Sequence, residues 1–352
     1  MKRDHGVVAA TEALAALDEF DSVIDVRSAS EFAEDHVPRA INCPVLTDVE
    51  RSEVGTLDRQ QSSFEARRRG AAMVARNIAR HLEGRFADMP RDWSPLVYCW
   101  RGGQRSGAMT HVLSRVGWRP RQLEGGYRAY RRAVMAELDR LPPALTLRVI
   151  CGTTGSGKSR LLQQLANVGA QVLDLEAIAR HRGSVLGGLP QEMQPGQKHF
   201  ETLLWDALRK FDPARPVFIE SESRKVGDLR VPDALLAHMR ESACVRLDVP
   251  LAARVRLLRD EYAHFESDIA SLTKQLDCLV TLHGHQRVTA WKAMAQAHEW
   301  DRLVEELLSQ HYDPAYQRSL SRNFRQAPNA HRLAIRSDDL ADYAAAARDL
   351  VR

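Results

Sequence analysis

Apolar residues along this chain come in short runs divided by longer stretches of helical spacing, and that rhythm occurs twice. "SVIDV" (22–26), "AINCPV" (40–45) and "PLVYC" (95–99) read as buried strands. A helix is expected from about 106 to 116, then a short strand at 122–124. Strands interleaved with helices predict an α/β unit with a parallel sheet. Residues 47–92 interrupt this pattern, being polar and basic. Within them "FEARRRGAAMVARNIARHLEGRF" sets Ala71, Val74, Ile78 and Leu82 along one side of a helix, which predicts a helical insertion. The two prolines of "LDRLPPALT" (138–146) stand beside a helix end. A first domain is therefore placed at 1–140 and a second at 145–352.

The second half opens with "LTLRVICG" (145–152), a strand that runs into a glycine loop and then a helix. "AQVLDL" (170–175), "PVFIES" (216–221), "CVRLDV" (244–249) and "RLAIR" (332–336) are its further strand candidates. Between the last two lies a long helical tract, expected as a lid or appendage over about 251–320. There is no internal repeat and no low-complexity segment.

Composition narrows this picture without changing it. With 352 residues the chain has room for two domains of the usual ~100–200 residues. At 44% hydrophobic and 27% charged it can bury real cores. The opening "MKRDHGVVAATEALAALDEF" is cut by acids, and no later run approaches the ~18 uninterrupted apolar residues of a membrane span. A cytoplasmic protein with no membrane partner is expected. Cys43, Cys99, Cys151, Cys244 and Cys278 are an odd, scattered set without a C-x-x-C pair, so free-thiol chemistry is expected rather than a disulfide framework or zinc site. The formal charge of +4 is small, but residues 101–132 hold eight arginines against the single acid Glu124. Such a stretch suits a phosphate-rich partner, and it equally suits a solvated helical surface.

"GTTGSGKS" (152–159) fits G-x-x-x-x-G-K-[ST] at every defined position, after a predicted strand and before a predicted helix. Glycines such as Gly152, Gly155 and Gly157 let backbone N–H groups turn toward an anion, and the helix N-terminus adds positive charge. Lys158 reaches the outer phosphate, and Ser159 can ligate Mg²⁺, the one metal expected here. The pattern implies a diphosphate or triphosphate ligand. It does not select ATP, because the loop recognises phosphates, and a prenyl diphosphate is equally admissible. Asp174 and Glu220, each at the end of a predicted strand, are candidates to complete a metal or substrate site; carboxylates there also serve as caps.

"VYCWRGGQRS" (97–106) carries C-x5-R-S at a strand end, with two glycines and a helix after it. Amide N–H groups around Cys99 would lower its thiol pKa and hold an anion. A cysteine phosphatase and a sulfur carrier both need that setting, and a merely buried strand-end cysteine needs none of it.

A resemblance orders these choices. "VIDVRSASEFAEDHVPRAINCPV" (23–45), "VYCWRGGQRSG" and "LEGGYRAYR" (123–131) look like the rhodanese domain. Most rhodaneses have four residues between cysteine and arginine; five, as here, suit a larger tetrahedral anion. Residues 46–82, "CWRGGQRS", "GTTGSGKS", "IESESRKVG" (219–227) and "HYDPAYQRS" (311–319) together resemble the tRNA 2-selenouridine synthase family over nearly the whole chain. Gln104 is a minor departure, standing where methionine is common.

The resemblance implies α/β architecture throughout: a rhodanese-like parallel-sheet domain, then a P-loop NTPase-like domain with a helical C-terminal appendage. It implies a transferase that converts wobble 2-thiouridine of tRNA to 2-selenouridine through an S-geranyl intermediate. Its substrates would be geranyl diphosphate and selenophosphate, with no tightly bound cofactor, and a selenophosphate-supplying enzyme would be a partner. Cys99 would then be catalytic, meeting selenophosphate as a selenylated cysteine, with Arg101, Gly102, Gly103 and Arg105 holding the anion. Arg67, Arg68, Arg69, Arg128, Arg131 and Arg132 are candidates for tRNA phosphates, and Trp100 for stacking on an extruded base. Arg27 is expected to pair with Asp25, and Gly70 to serve helix packing. His283 and His285, near Cys278, lack further metal ligands, and His199, His311 and Tyr312 carry no assignable role. The competing readings are a rhodanese-fold cysteine phosphatase or sulfurtransferase with a nucleotide-binding domain, and a P-loop kinase that uses the first domain only for docking.

Overall fold

The computed structural model describes residues 6–184, 186–189 and 192–352. Two compact units emerge: Met1–Glu137 with Glu201–Asp206, and Leu138–Phe200 with Ala207–Arg352.

The first unit is built on five parallel strands, β1 (Val7–Val8), β2 (Ser22–Asp25), β3 (Ala40–Asn42), β4 (Pro95–Tyr98) and β5 (Arg121–Leu123), in the order β1-β5-β4-β2-β3. β2 and β4 lie inside the sheet, and their apolar runs are buried accordingly. Ile24, Val97, Met109 and Leu113 pack with Trp93 and Trp118, whose rings meet edge to face at 5.1 Å. The helix expected at 106–116 starts earlier, at Gln104, so that its first turn closes directly on the cysteine loop.

The 47–92 insertion is a pair of helices, Asp48–Gln60 and Ser63–Glu83. Thr47 opens the first through a capping box with Glu50, and the Ser62 hydroxyl caps the second at the Glu65 N–H. Ile78 is buried, with Val74 and Leu82 packed beside it, but Ala71 is exposed. The stripe continues backward through Gly70 and Ala66, four residues at a time from Val74. Gly70 faces Val54 of the first helix, where an added Cβ would lie 3.3 Å from a Val54 methyl group.

The second unit repeats the layout with β6 (Leu147–Cys151), β7 (Gln171–Leu173), β8 (Val217–Glu220), a short hairpin of β9 (Lys225–Val226) and β10 (Leu229–Arg230), then β11 (Ala243–Asp248) and β12 (His331–Ala334). Its parallel sheet runs β12-β11-β6-β8-β7, placing β6 at the centre with the glycine loop at its carboxyl end. Helices from Leu251 to Asn323 form the expected appendage around Trp291, Leu276 and Leu303, and one turn of wider π-type helix interrupts them at Leu308–Tyr312. Among the described residues no helix is long and apolar enough to cross a membrane.

Candidate functional site

Cys99 follows β4 directly and is almost fully buried. Its carbonyl accepts from the Tyr127 N–H at 2.8 Å, and the Trp100 carbonyl accepts from Arg128 N–H at 3.1 Å, which fastens the loop to the start of the next helix. Gly102 turns the chain at φ 65°, so close to β5 that a Cβ would meet the Leu123 carbonyl oxygen at 2.5 Å. Glycine is therefore required there. Gln122 donates to the Gly102 carbonyl at 2.6 Å and to the Ser106 hydroxyl at 3.0 Å.

Ser106 Oγ in turn donates to Cys99 Sγ at 3.2 Å. Burial pushes the Cys99 thiol up, but the Ser106 hydroxyl and the amides of Ser106, Arg101 and Gly103 together outweigh it and hold the thiol below its ordinary value. The result is a thiolate inside a ring of N–H donors. We expect Ser106→Ala to raise the pH at which Cys99 ionises, read as the thiolate ultraviolet absorbance that Cys99→Ser removes. An unchanged midpoint would deny the hydroxyl this role.

Of the two loop arginines, Arg101 is exposed, whereas Arg105 is bound to Glu31 at 2.9 Å, which Arg51 also approaches at 3.3 Å. Burial raises the Glu31 carboxyl, yet the Arg105 hydrogen bond and the charges of Arg105 and Arg51 hold it below the usual range. Arg105 is thus fixed in direction at the cost of part of its hydrogen-bonding capacity.

Arg27 pairs with Asp25, 2.6 Å away, and both are buried. It also donates to the Asp35 carbonyl and lies 4.1 Å from the Tyr127 ring centroid. Arg27→Met would leave Asp25 buried without its partner. Removing one member of such a pair costs about 3–5 kcal/mol, and a denaturant midpoint for this unit equal to wild type would refute the assignment.

The expected nucleic-acid contacts fare unevenly. Arg67, Arg68, Arg69, Arg128 and Arg132 are exposed, Arg68 and Arg69 also reaching Glu65 and Glu53. Arg131 is only partly exposed and is held in an ion pair with Glu201. Trp100 has one face stacked on Tyr127 at 5.3 Å, leaving at most the other for a base.

In the second unit, the glycine loop connects β6 to the helix Lys158–Asn167. Gly155 (φ 75°) and Gly157 (φ 70°) hold the left-handed conformations that turn its amides inward. Three neighbours fix its shape. Arg254 donates to the Thr154 carbonyl at 2.9 Å while bound to Asp313, Tyr343 donates to the Ser156 carbonyl at 3.2 Å, and Tyr316 Oη accepts from Gly152 N–H at 2.7 Å. Lys158 Nζ donates to the Gly152 carbonyl at 3.3 Å and sits over the Tyr316 ring. The loop lines a cavity of about 520 Å³.

The carboxylates around it differ from those picked out in sequence. Asp174 lines the cavity but caps the helix Leu175–Ala179 at the Ala177 N–H. Glu220 is fully buried behind it; one oxygen accepts from the Glu176 N–H at 2.8 Å and the other has no protein partner. Glu176 and Glu222, which sequence reasoning missed, are the acids that line the cavity beside Ser159. Glu176 accepts from Ser159 Oγ at 3.0 Å, and a Cβ on Gly183 would touch both carboxylates. Burial raises all three glutamates, Glu222 to about 8 and Glu220 well above the carboxylate range. Glu220 and Glu222 therefore hold protons near neutrality and oppose an incoming polyanion little. His283 meets His311 at 2.9 Å and the Trp291 ring.

Residues 9–133 match the family model of the rhodanese-like domain, and residues 145–277 match the one described as the tRNA 2-selenouridine synthase AAA domain. The tRNA 2-selenouridine synthase of Nitrosomonas europaea is 38% identical over 247 residues, which cover 68% of this chain and 63% of that relative, just under two thirds of its length. Its namesake in Shewanella loihica is 32% identical over 84% of this chain and 86% of its own, and that of Sulfurovum sp. 31% identical over 86% and 89%.

Proposed function

The chain belongs to the tRNA 2-selenouridine synthase family, and from that premise we propose that it replaces sulfur by selenium at C2 of a wobble 2-thiouridine, using its two loops in turn. The observation that carries this reading is their pairing in one chain: a thiolate within an anion cradle, and a phosphate loop open to a cavity.

In the first step the phosphates of geranyl diphosphate lie on the amides of residues 155–159 and on Lys158. The C1–O bond breaks and its electron pair leaves with the diphosphate, the thiouridine sulfur bonds to C1, and the N3 proton is lost. Ser159 and Glu176, two hard oxygen donors already in contact, would hold a Mg²⁺ ion, which supplies charge neutralisation for the departing diphosphate. S-alkylation turns a poor leaving group into a thiol that can depart from C2.

In the second step selenophosphate sits in the Cys99 loop, held by its amides, Arg101 and the remaining donors of Arg105. The Cys99 thiolate attacks phosphorus, the P–Se bond breaks, and hydroselenide leaves. Attack at phosphorus keeps selenium at the selenide level, so no reductant is needed. Hydroselenide then bonds to C2, the C2–S bond breaks, and its proton leaves with geranyl thiol. Water releases phosphate from Cys99. The exposed arginines of the helices Ser63–Glu83 and Gly126–Arg140 supply positive charge for the tRNA backbone, and an enzyme that makes selenophosphate would supply the donor.

The test is to incubate the protein with 2-thiouridine tRNA, geranyl diphosphate and selenophosphate, digest the RNA and weigh the nucleosides. S-geranyl-2-thiouridine is expected without selenophosphate, and 2-selenouridine with both. No mass shift under any combination would overturn the reading, and Cys99-dependent hydrolysis of an aryl phosphate in its place would assign a phosphatase.

A further inference from the structure

Beside the phosphate-loop cavity lies a second one of opposite character. It runs between the helices Leu251–Glu261, Ile269–Asp277 and Trp300–Leu307, and is walled by Phe265, Leu272, Leu303, Leu307 and Leu308, all buried. Thr154, Ser184, Leu258, Tyr262 and Tyr312 line both cavities, so the two meet at a common mouth. At that mouth both tyrosine hydroxyls reach Ser184, and burial raises both phenols, keeping them neutral. The residues not shared include Arg259 and Glu266, ion-paired at 3.1 Å, with Arg259 also bound to Asp301 at 3.1 Å. This ionic clasp marks the end away from the phosphate loop.

We propose that the apolar cavity is the subsite for the hydrocarbon chain of an allylic diphosphate, and that Leu272 and Leu303 set the chain length it accepts. The proposal rests on the reading of the glycine loop as a diphosphate site. A nucleoside would need hydrogen-bonding partners for its base and sugar, and these walls offer almost none. An isoprenoid needs only apolar volume next to a phosphate cradle, which is what the common mouth provides. Apolar cavities of this kind stay dry and accept apolar ligands, and each methylene buried in one tightens binding about fourfold. With the diphosphate on Lys158, C1 of the chain falls at the mouth. There the faces of Tyr262 and Tyr312 stand beside the carbon that gains positive charge as the C–O bond breaks.

Two opposite substitutions test this: Leu272→Ala, which lengthens the cavity, and Leu303→Trp, which fills it. Each full-length variant is given 2-thiouridine tRNA with an equimolar mixture of dimethylallyl, geranyl and farnesyl diphosphates, and the prenylated nucleosides are weighed. Leu272→Ala should raise the farnesyl-to-geranyl ratio at least about tenfold. Leu303→Trp should lower geranyl transfer at least about tenfold relative to dimethylallyl transfer. Retained transfer of the shortest chain serves as the internal control for folding. Product ratios equal to wild type in both variants would overturn the subsite while leaving the diphosphate reading intact. Transfer of none of the three chains by the wild-type protein would overturn both.

Discussion

Cys99→Ser should leave S-geranyl-2-thiouridine tRNA accumulating while selenium incorporation falls at least about a hundredfold. Serine is nearly isosteric, so the ring of amides and the Ser106 contact survive, but its hydroxyl does not ionise near neutral pH. The cradle would still hold the tetrahedral donor and lack the nucleophile that opens it. Geranylation draws on the other loop and should proceed at its wild-type rate, so the two products, weighed from one digest, separate the steps. Loss of both products in a folded variant would mean that Cys99 serves the first step as well. Loss of neither would remove the thiol from the chemistry altogether.

The converse variant, Lys158→Ala, should reduce geranyl transfer by about a hundred- to a thousandfold, the usual effect of deleting a charged or polar donor aimed at a departing oxyanion. Lys158 has a second effect. Its positive charge holds Glu176 and Glu222 lower than burial alone would leave them, so its loss drives both further toward the protonated form. A substrate already carrying the S-geranyl group should bypass the defect and accept selenium at the wild-type rate. The assay is single-turnover selenation of pre-geranylated tRNA. A failure there would show that the lysine serves both steps.

The parts of the site legible from sequence are those held within one continuous segment. Cys99 with its glycines and Ser106, and the whole of 152–159, occupy a strand end, a tight turn and a helix start in unbroken succession, and local spacing determines their geometry. Glu176 and Glu222 carry no such signal. They meet because β7 and β8 lie side by side in the sheet, an outcome of strand order that spacing does not encode. Asp174 and Glu220 drew attention by standing at strand ends, yet that position gave one a cap to fill and buried the other. Tyr262 and Tyr312 are harder still to find. They arrive from separate helices, and Tyr312 closes the wider helical turn at Leu308–Tyr312, whose altered periodicity no simple pattern of apolar residues announces. Ala71 shows a smaller failure of the same kind, since a stripe read forward from the wrong turn places an exposed residue in the core.

The helix Asp313–Asn323 has a bearing on how this molecule can be divided. Asp313 anchors the arginine that braces Thr154, and Tyr316 receives the Gly152 amide and donates or accepts at Ser221, 3.1 Å away. The loop that reads phosphate is thus held in shape by side chains more than 150 positions downstream, from a region that a fragment cut at the end of the matched AAA segment would lack. Such a fragment would retain every letter of the phosphate motif and lose its grip on phosphate. In this chain the recognisable module and the functional one have different boundaries, and inheritance must keep the distant helix in step with the loop.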